Sequence, residues 1–392
     1  MGKRAADGGM LSGSGSPHGA ANTRRTNTPG RQGWHREDMR LENVRPIIVL
    51  GCPRSGTTML QVMLHSHPRI AIPPEIRFLL PTYIGRRKYG DLRQPDNRRR
   101  LADDIVQGRI TPGATGVASD ETKNRFRDLK LDPDEVTEAI VGGPPTVGSA
   151  LAIVLQLYAK RFGKPRWGDK RPAYHRCLPF IQRMFPDAQI IQIVRDGRAC
   201  VASLKRMPWW QRDVYTAAAE WAIAYDNCQR FARQLPADTF YQVKYEDLVD
   251  DPETELTKLC AFLGEEYDPA MSHPADTARM AVPKRKTWHA ATRSDVDASQ
   301  VDKWREELDP WEIELCETVL GDRLRSYGYT VDGPANIGAK HRMTYRWRKA
   351  RLQLHTSRLL VSDRLRLLAE NRQVANLTET PSTAPSTSST RS

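Results

Sequence analysis

This chain repeats one pattern, in which an apolar run ends at a glycine or a charged residue and a helical pattern follows. Residues 47–50 form a β-branched run that is typical of a buried strand, and residues 57–65 then space their apolar positions three and four apart, as a helix does. Residues 190–194 repeat the buried strand, and residues 239–243 alternate as a further strand. Strands that alternate with helices predict an α/β fold with a central parallel sheet flanked by helices.

The same patterns divide the chain into one domain and two flanking segments. A single domain over residues 44–332 contains all the predicted strands, and residues 85–150 within it form a charged variable insert of the kind that often carries acceptor specificity. Residues 1–43 are rich in Gly, Ser, Asn and Arg, which predicts a disordered tail. Residues 333–392 predict a basic helical extension that ends in a disordered, low-complexity tail.

The distribution of charge argues against a dedicated nucleic-acid-binding role. The net charge is +13, but residues 1–40 carry +4 and residues 340–392 carry +8, which leaves +1 for the residues between them. A basic cluster over residues 86–100 is interpreted as a solvated face, with attraction of an acidic acceptor as the alternative. The basic helical pattern over residues 345–372 predicts either peripheral contact with an anionic membrane or packing back on the domain.

The sequence predicts neither a membrane-spanning segment nor a framework of paired cysteines. No run approaches the roughly 20 apolar residues of a membrane span, and residues 1–33 lack the apolar stretch of a signal peptide. We therefore expect a soluble, cytoplasmic protein. The six cysteines, at positions 52, 177, 200, 228, 260 and 316, include no C-x-x-C pair. They are expected to be reduced and buried, and their spacing does not indicate a zinc site.

The turn between the first strand and the first helix has the composition of an anion-binding site. We call residues 51–58, with the sequence GCPRSGTT, the anion loop. Its glycines allow close backbone approach, Arg54 adds a cation, and its hydroxyls lie beside the unpaired amides of a helix start, which favour phosphate-like groups. Thr57 stands where the nucleoside triphosphate loop has its lysine, so a nucleotide triphosphatase is disfavoured. An ordinary glycine turn of an α/β protein is the alternative.

A second strand, turn and helix carries a second set of anion-binding groups. Arg195 follows the strand over residues 190–194, and Ser203 lies in the helix that begins after the turn. Ligands of open α/β sheets bind outside the carboxyl ends of the strands, so the two units together suggest one ligand with two anionic groups. Lys170 ends a further predicted strand, where it can follow negative charge onto a leaving oxygen.

These two motifs resemble those of sulfotransferases that use 3′-phosphoadenosine 5′-phosphosulfate (PAPS). The resemblance covers residues 46 to about 330 and is greatest to bacterial members and to tyrosylprotein sulfotransferases. It implies a single P-loop-like α/β domain, no metal requirement, and a 5′-phosphosulfate held by Arg54, Ser55, Gly56, Thr57 and Thr58, whereas the two tails fall outside the resemblance. It also implies that Arg195 and Ser203 hold the 3′-phosphate, with further nucleotide contacts from Tyr245 and Lys303.

The resemblance also implies catalytic roles. In the tyrosylprotein branch a glutamate after the loop helix is the general base, and here Glu75 follows His67-Pro68 and precedes Arg77. The small-molecule branch uses a histidine, so His175 and His289 remain alternatives. Arg54 and Lys170 would stabilise the leaving phosphate. One departure concerns the 3′-phosphate site, where Met207 occupies a position at which a second arginine can follow Ser203, with Lys205 and Arg206 nearby to compensate.

The sequence therefore predicts in-line transfer of a sulfuryl group from PAPS to an acceptor hydroxyl. The acceptor class stays open among a sugar, a lipid, a small molecule and tyrosine, and the oligomeric state is also open. Two alternatives come from other classes of protein. One is a kinase-like phosphotransferase, which needs magnesium, and the other is a nucleotide-binding or membrane-associated module without catalysis.

Overall fold

Five parallel strands form the centre of the fold in the computed structural model, which describes residues 44–110, 126–274, 301–331 and 336–368. The strands are β1 (Ile47–Gly51), β2 (Ile70–Ala71), β3 (Arg166–Lys170), β4 (Gln189–Val194) and β5 (Phe240–Lys244). Their spatial order is β2-β3-β1-β4-β5, and every neighbouring pair runs parallel. The predicted α/β fold with a central parallel sheet is confirmed.

Helices separate the strands and follow the last of them. In chain order they are α1 (Thr57–Ser66), α2 (Leu79–Ile84), α3 (Pro95–Val106), α4 (Pro133–Gly142), α5 (Val147–Arg161), α6 (Leu178–Met184), α7 (Gly197–Lys205), α8 (Val214–Ala232), α9 (Tyr245–Asp250), α10 (Pro252–Leu263), α11 (Trp304–Glu307), α12 (Pro310–Ser326) and α13 (Ala339–Leu368). Short 3₁₀ segments lie at Arg86–Tyr89, Pro172–Arg176 and Pro269–Met271. Within the described ranges no helix is both long and apolar enough to cross a bilayer.

The sheet is covered on both faces, which explains the continuous apolar run of its central strand. Ile48 and Leu50 belong to a core cluster with α5 and α6, whereas Ile47 and Val49 belong to a cluster with α1 and α10. Because successive side chains of a strand point to opposite faces, a strand buried on both sides must be apolar at every position.

Local capping sets several of the helix starts and ends. The side chain of Asp213 accepts a hydrogen bond from Thr216 N at the start of α8, and that of Asp251 accepts one from Thr254 N at the start of α10. Gly264 ends α10 in the left-handed conformation, with φ of 75°. These caps fix the helices that support β4 and β5.

The long helix α13 packs back on the domain through charged contacts. Asp363 is buried and lies 2.9 Å from the Arg86 guanidinium, and it also pairs with Arg183. Near the other end of the helix, Lys349 lies 2.8 Å from Asp226. The interpretation of residues 86–100 as a solvated face is wrong for Arg86, which has no exposed surface. Its charge is accommodated because α13 supplies a carboxylate from 277 positions further along the chain.

The six cysteines are free and buried, as predicted. Burial raises the pKa of the thiol of Cys52, which lies in the anion loop, well above its ordinary value. Burial likewise raises the pKa of Cys177 to about 11. Because the thiolate is the reactive form, these cysteines have the chemistry of packing residues.

Candidate functional site

The strand order brings the predicted site residues to one edge of the sheet. The anion loop follows β1, Lys170 is the last residue of β3, Arg195 follows β4, and Tyr245 follows β5. These four strands are neighbours in the order β3-β1-β4-β5 and run parallel, so all four carboxyl ends meet at the same edge. Ligands of open α/β sheets bind at this edge.

The anion loop presents polar groups toward a helix start. Gly56 is the N-cap of α1 with φ of 97°, and the first turn of α1 carries no acidic residue. The hydroxyl oxygen of Ser55 is fully buried and, among the described residues, has no hydrogen-bond partner. A buried hydroxyl without a partner costs free energy, and an oxygen of a bound anion would satisfy it. The loop therefore fits a phosphate or phosphosulfate group.

Both loop glycines are required by close contacts. A Cβ at Gly51 would lie 2.6 Å from Ile193 O and 2.6 Å from Ser55 Oγ. A Cβ at Gly56 would lie 2.6 Å from Cδ2 of Tyr245, in addition to the strain of its positive φ. The tightness of the turn thus depends on β4 and on the residue that follows β5, as well as on the loop itself.

Arg54 connects the two predicted anion sites. Its Nε donates to Ser203 Oγ at 3.0 Å, and its backbone oxygen accepts from Arg195 Nη1 at 3.4 Å. Burial lowers the pKa of Arg54, and the neighbouring charge of Arg195 lowers it further. Two guanidinium groups held side by side favour an anionic ligand between them, because such a ligand compensates both charges.

Tyr245 and Glu246 have different functions in the structure. The Tyr245 ring lies against Gly56 and under the guanidinium of Arg195, whose Cζ is 4.3 Å from the ring centroid. Glu246 accepts hydrogen bonds from Asp196 N at 3.0 Å and from Tyr329 OH at 2.7 Å. Tyr245 therefore borders the site, whereas Glu246 fixes the corner where β4 ends.

Glu75 and Lys170 meet beside the anion loop. Lys170 Nζ donates to Thr58 Oγ1 at 3.3 Å and lies 3.9 Å from Glu75 Oε2. The Glu75 side chain is 14% exposed, so an acceptor can reach it. Arg77 adopts a left-handed φ of 62° and donates from Nε to Glu75 Oε1 at 3.1 Å. The turn at Arg77 thus directs its guanidinium back onto the carboxylate that precedes it.

Two further groups, which the sequence did not predict, lie next to this pair. Arg171 Nε lies 3.9 Å from Glu75 Oε1, and Asp169 is fully buried with the Tyr174 hydroxyl donating to its Oδ2. Burial raises the pKa of Asp169 to about 6, and the charge of Glu75 adds to the rise. The only signal in the sequence was that both residues adjoin Lys170.

Several predicted residues lie apart from the contacts described above. His175 is buried with its Nε2 3.7 Å from Glu220 Oε1 of α8, and burial lowers its pKa. Burial alone would raise the pKa of Glu220, but Arg176 and His175 outweigh it and hold that pKa at about 2. His175 is thus part of a buried ionic cluster. His289 lies outside the described residues.

The residues near the predicted 3′-phosphate site also differ in placement. Lys205 donates to Glu312 at 2.8 Å, and Arg206 pairs with Glu307, so both lean toward α11 and α12. Lys303 is exposed at the start of α11. Trp304, which follows it, is buried under the Arg198 guanidinium at 4.1 Å and serves as core.

Comparisons with known proteins point to one family. Residues 46–269 match the sulfotransferase family. The chain is 27% identical over 305 residues to nodulation protein NoeE of Sinorhizobium fredii (strain NBRC 101917 / NGR234), covering 72% of this chain and 65% of that one. It is 25% identical over 235 residues to a protein-tyrosine sulfotransferase of Drosophila melanogaster, covering 58% and 39%. The chain thus spans less than two thirds of the length of either relative.

A vertebrate relative and a solved structure extend the comparison. Protein-tyrosine sulfotransferase 1 of Danio rerio is 24% identical over 310 residues, which is 74% of each chain. The sulfotransferase domain from the curacin biosynthetic pathway has a TM-score of 0.50 at 22% identity, covering 74% of this chain and 99% of that one, and so shares the fold. The family match extends over more than half of the sequence and confirms the resemblance stated above. This chain belongs to the sulfotransferase family.

Proposed function

We propose that this protein transfers a sulfuryl group from PAPS to the hydroxyl group of an acceptor. The observation that carries the proposal is the position of Lys170. Its ammonium group contacts Thr58 of the anion loop at 3.3 Å and lies 3.9 Å from the Glu75 carboxylate. One cation therefore connects the place where a leaving phosphate would sit with a carboxylate that can accept a proton.

Donor binding is assigned to the anion loop and to the groups beyond β4. The 5′-phosphosulfate would be held by Arg54, Ser55, Gly56, Thr57 and Thr58, where the helix start and the buried Ser55 hydroxyl favour an anion. The 3′-phosphate would be held by Arg195 and Ser203, with Tyr245 supporting Arg195 from below and Lys303 entering from α11. When bound, PAPS supplies an activated sulfuryl group attached to its 5′-phosphate.

Each catalytic residue then has a defined task. Glu75 accepts the proton of the acceptor hydroxyl while that oxygen forms its bond to sulfur. Lys170, Arg54 and the loop amides stabilise the negative charge that collects on the phosphate as the bond from sulfur to the phosphate oxygen breaks. Arg77 orients Glu75 through its 3.1 Å hydrogen bond. These residues account for the proton and for the charge without further groups.

The placement of the candidate bases favours Glu75. Glu75 is partly exposed beside Lys170, whereas His175 is buried against Glu220, in the helical layer. The acceptor carries a hydroxyl group. Because several relatives are named protein-tyrosine sulfotransferases, a tyrosine hydroxyl in a peptide is the first acceptor to test, ahead of sugars, lipids and small molecules.

Calorimetric titration with the product nucleotide, 3′-phosphoadenosine 5′-phosphate (PAP), tests the donor site. We expect binding of PAP in the absence of magnesium, with Arg54→Ala and Arg195→Ala each weakening it by about 10- to 100-fold, since each removes charge-assisted hydrogen bonds. Arg99→Ala serves as control, because Arg99 is exposed on α3 and pairs with Glu138. Folded protein that does not bind PAP, or that binds ATP equally well, would contradict the proposal.

A turnover assay distinguishes a sulfotransferase from a kinase-like phosphotransferase and from a nucleotide-binding module without catalysis. We expect transfer of a radiolabelled sulfuryl group from PAPS to a tyrosine peptide, or to another hydroxyl acceptor of a screen, in the presence of EDTA. A kinase-like phosphotransferase would instead transfer phosphate from ATP and would stop when magnesium is removed. A nucleotide-binding module would bind PAP but transfer nothing to any acceptor.

Replacing Gly56 by alanine is expected to weaken PAP binding by about 10- to 100-fold. The added methyl group meets Tyr245 at 2.6 Å and forces a φ of 97° on a non-glycine residue, so the loop and the Tyr245 ring must move apart. Gly264→Ala is a matched control, since Gly264 also has a positive φ, of 75°, but nothing within 4 Å of its Cβ position. That control should lose some stability and keep its PAP affinity. Equal PAP affinity in both variants would contradict the prediction.

A further inference from the structure

The outward face of α13 carries a row of exposed apolar side chains. The row consists of Met343, Trp347, Leu354, Val361, Leu365 and Leu368, which are between 52% and 86% exposed. Their spacing of three, four or seven residues places all six within about 60° of the helix circumference. We call these six residues the apolar stripe.

The apolar stripe does not hold α13 to the domain. The inward face does so with Tyr345, which is buried, and with ionic contacts from Arg348 to Asp213 and from Asp363 to Arg86. In an ordinary surface helix the apolar face is turned inward. Here the inward face combines these ionic contacts with Tyr345, Leu352 and Leu360, which pack against the core, and the apolar stripe faces outward, so folding of the described domain leaves the stripe available for a partner.

Arginines flank the apolar stripe on both sides. At 3.6 residues per turn, Arg346 and Arg364 lie along one border and Arg351 and Arg358 along the other, and all four are exposed. Asp363, the single acidic residue of α13, is buried on the opposite face. The Trp347 ring is contacted by Arg348 at 4.8 Å and by Arg351 at 5.7 Å. The exposed face of the helix is therefore apolar in the middle and cationic at its borders.

We propose that the apolar stripe and its arginines dock α13 on the surface of an anionic phospholipid bilayer. Lipid headgroups would neutralise the arginine borders while the apolar side chains enter the boundary between headgroups and acyl chains. Trp347 suits this boundary, where tryptophan is enriched. A second copy of this chain fits less well, because pairing two stripes would bring arginine borders against each other. The helix spans 30 residues, or about 45 Å, and lies along the bilayer plane.

Flotation of the full chain with vesicles tests this docking. Vesicles of neutral phosphatidylcholine are compared with vesicles that contain phosphatidylglycerol in addition. We expect binding to the anionic vesicles and little to the neutral ones. Raising the salt concentration should weaken the binding, because screening shortens the range of the arginine charges.

Two variants and a matched control separate the contribution of the apolar stripe to vesicle binding from that of its flanking arginines. The double variant Leu354→Gln, Val361→Gln should lower vesicle partitioning by at least about tenfold, because both apolar side chains are lost from the lipid boundary. Arg358→Glu should lower it by about 5- to 30-fold. Lys258→Glu reverses the same charge on α10, which packs on the other face of the sheet, and should leave partitioning unchanged. All substituted positions are exposed, so PAP binding should persist in each variant.

The remaining outcomes overturn the proposal. One is the absence of binding to anionic vesicles at low salt by folded protein. Another is vesicle binding that the stripe variants do not change, which would place the lipid contact elsewhere on the chain. A third is a dimer in sedimentation experiments that Leu354→Gln, Val361→Gln dissociates, without any vesicle binding, which would identify the partner as a second copy. The docking proposal stands independently of the sulfuryl-transfer assay.

Discussion

Glu75→Gln is expected to lower the turnover number by about 10²- to 10⁴-fold, the usual contribution of a well-placed general base. Glutamine has the shape of glutamate but does not accept the acceptor's proton. Because the proposed function assigns nucleotide binding to Arg54, Ser55 and the helix start, and not to Glu75, the PAP affinity should change little. Steady-state kinetics with saturating PAPS, together with calorimetry for PAP, measure the two effects separately.

Glu265→Gln is the matched control for this variant. Glu265 is also a poorly exposed glutamate held by two arginines, Arg69 at 2.9 Å and Arg166 at 3.3 Å. Arg166 is the first residue of β3 and Lys170 is the last, so Glu265 lies at the end of the sheet opposite to the site. The control should lose stability and retain turnover per folded molecule. If Glu75→Gln turns over as fast as this control, Glu75 is not the general base. His175 and His289 then become the candidates to test.

Asp363→Asn is expected to lower the free energy of unfolding by about 3–5 kcal/mol. The substitution keeps the shape of the side chain but removes the carboxylate that lies 2.9 Å from the Arg86 guanidinium, which has no exposed surface, and that also pairs with Arg183. Removing one member of a buried ion pair leaves the other charge desolvated and uncompensated, which costs far more than loss of a surface pair. Urea denaturation followed by circular dichroism measures the difference.

Two comparisons test the cause of this loss. Asp322→Asn breaks the exposed pair with Arg325, at 3.2 Å, and should cost no more than about 1 kcal/mol. Combining Asp363→Asn with Arg86→Met removes both charges of the buried pair and should recover part of the stability. A loss below about 1 kcal/mol for Asp363→Asn alone would show that the contact between α13 and Arg86 is not part of the folded core.

The site was largely readable from the sequence, because its chemistry is concentrated in local motifs. The glycine turn with Arg54 and Ser55 and the later Arg195 and Ser203 were recognisable from residue types at short spacings, as were the strands that precede them. Period-two and period-3.6 patterns extend over only a few residues, so elements and loops can be assigned without knowledge of the partners. The family match extends over residues 46–269, the part of the chain that contains these motifs.

The contacts that join those motifs required the tertiary structure. The hydrogen bond from Arg54 to Ser203 joins positions 149 apart, and the bond from Lys170 to Thr58 joins positions 112 apart. Lys205, which follows Ser203 by two residues, pairs with Glu312, 107 positions further along the chain. Nothing local in the sequence fixes such partners, because they depend on the order in which the strands lie in the sheet and on the direction in which each helix returns.

The sequence by itself determined the fold class, the anion loop and the amphipathic character of the last helix. Only the tertiary structure decided that Arg86 is buried by Asp363 and that the apolar stripe of α13 faces outward. A helical pattern shows that one face is apolar, but it does not show which face meets the domain. Here the ionic partners of α13 on α8 and beside α2 determine which face of α13 meets the domain. A buried arginine without a carboxylate costs more free energy than apolar side chains that stay exposed to water.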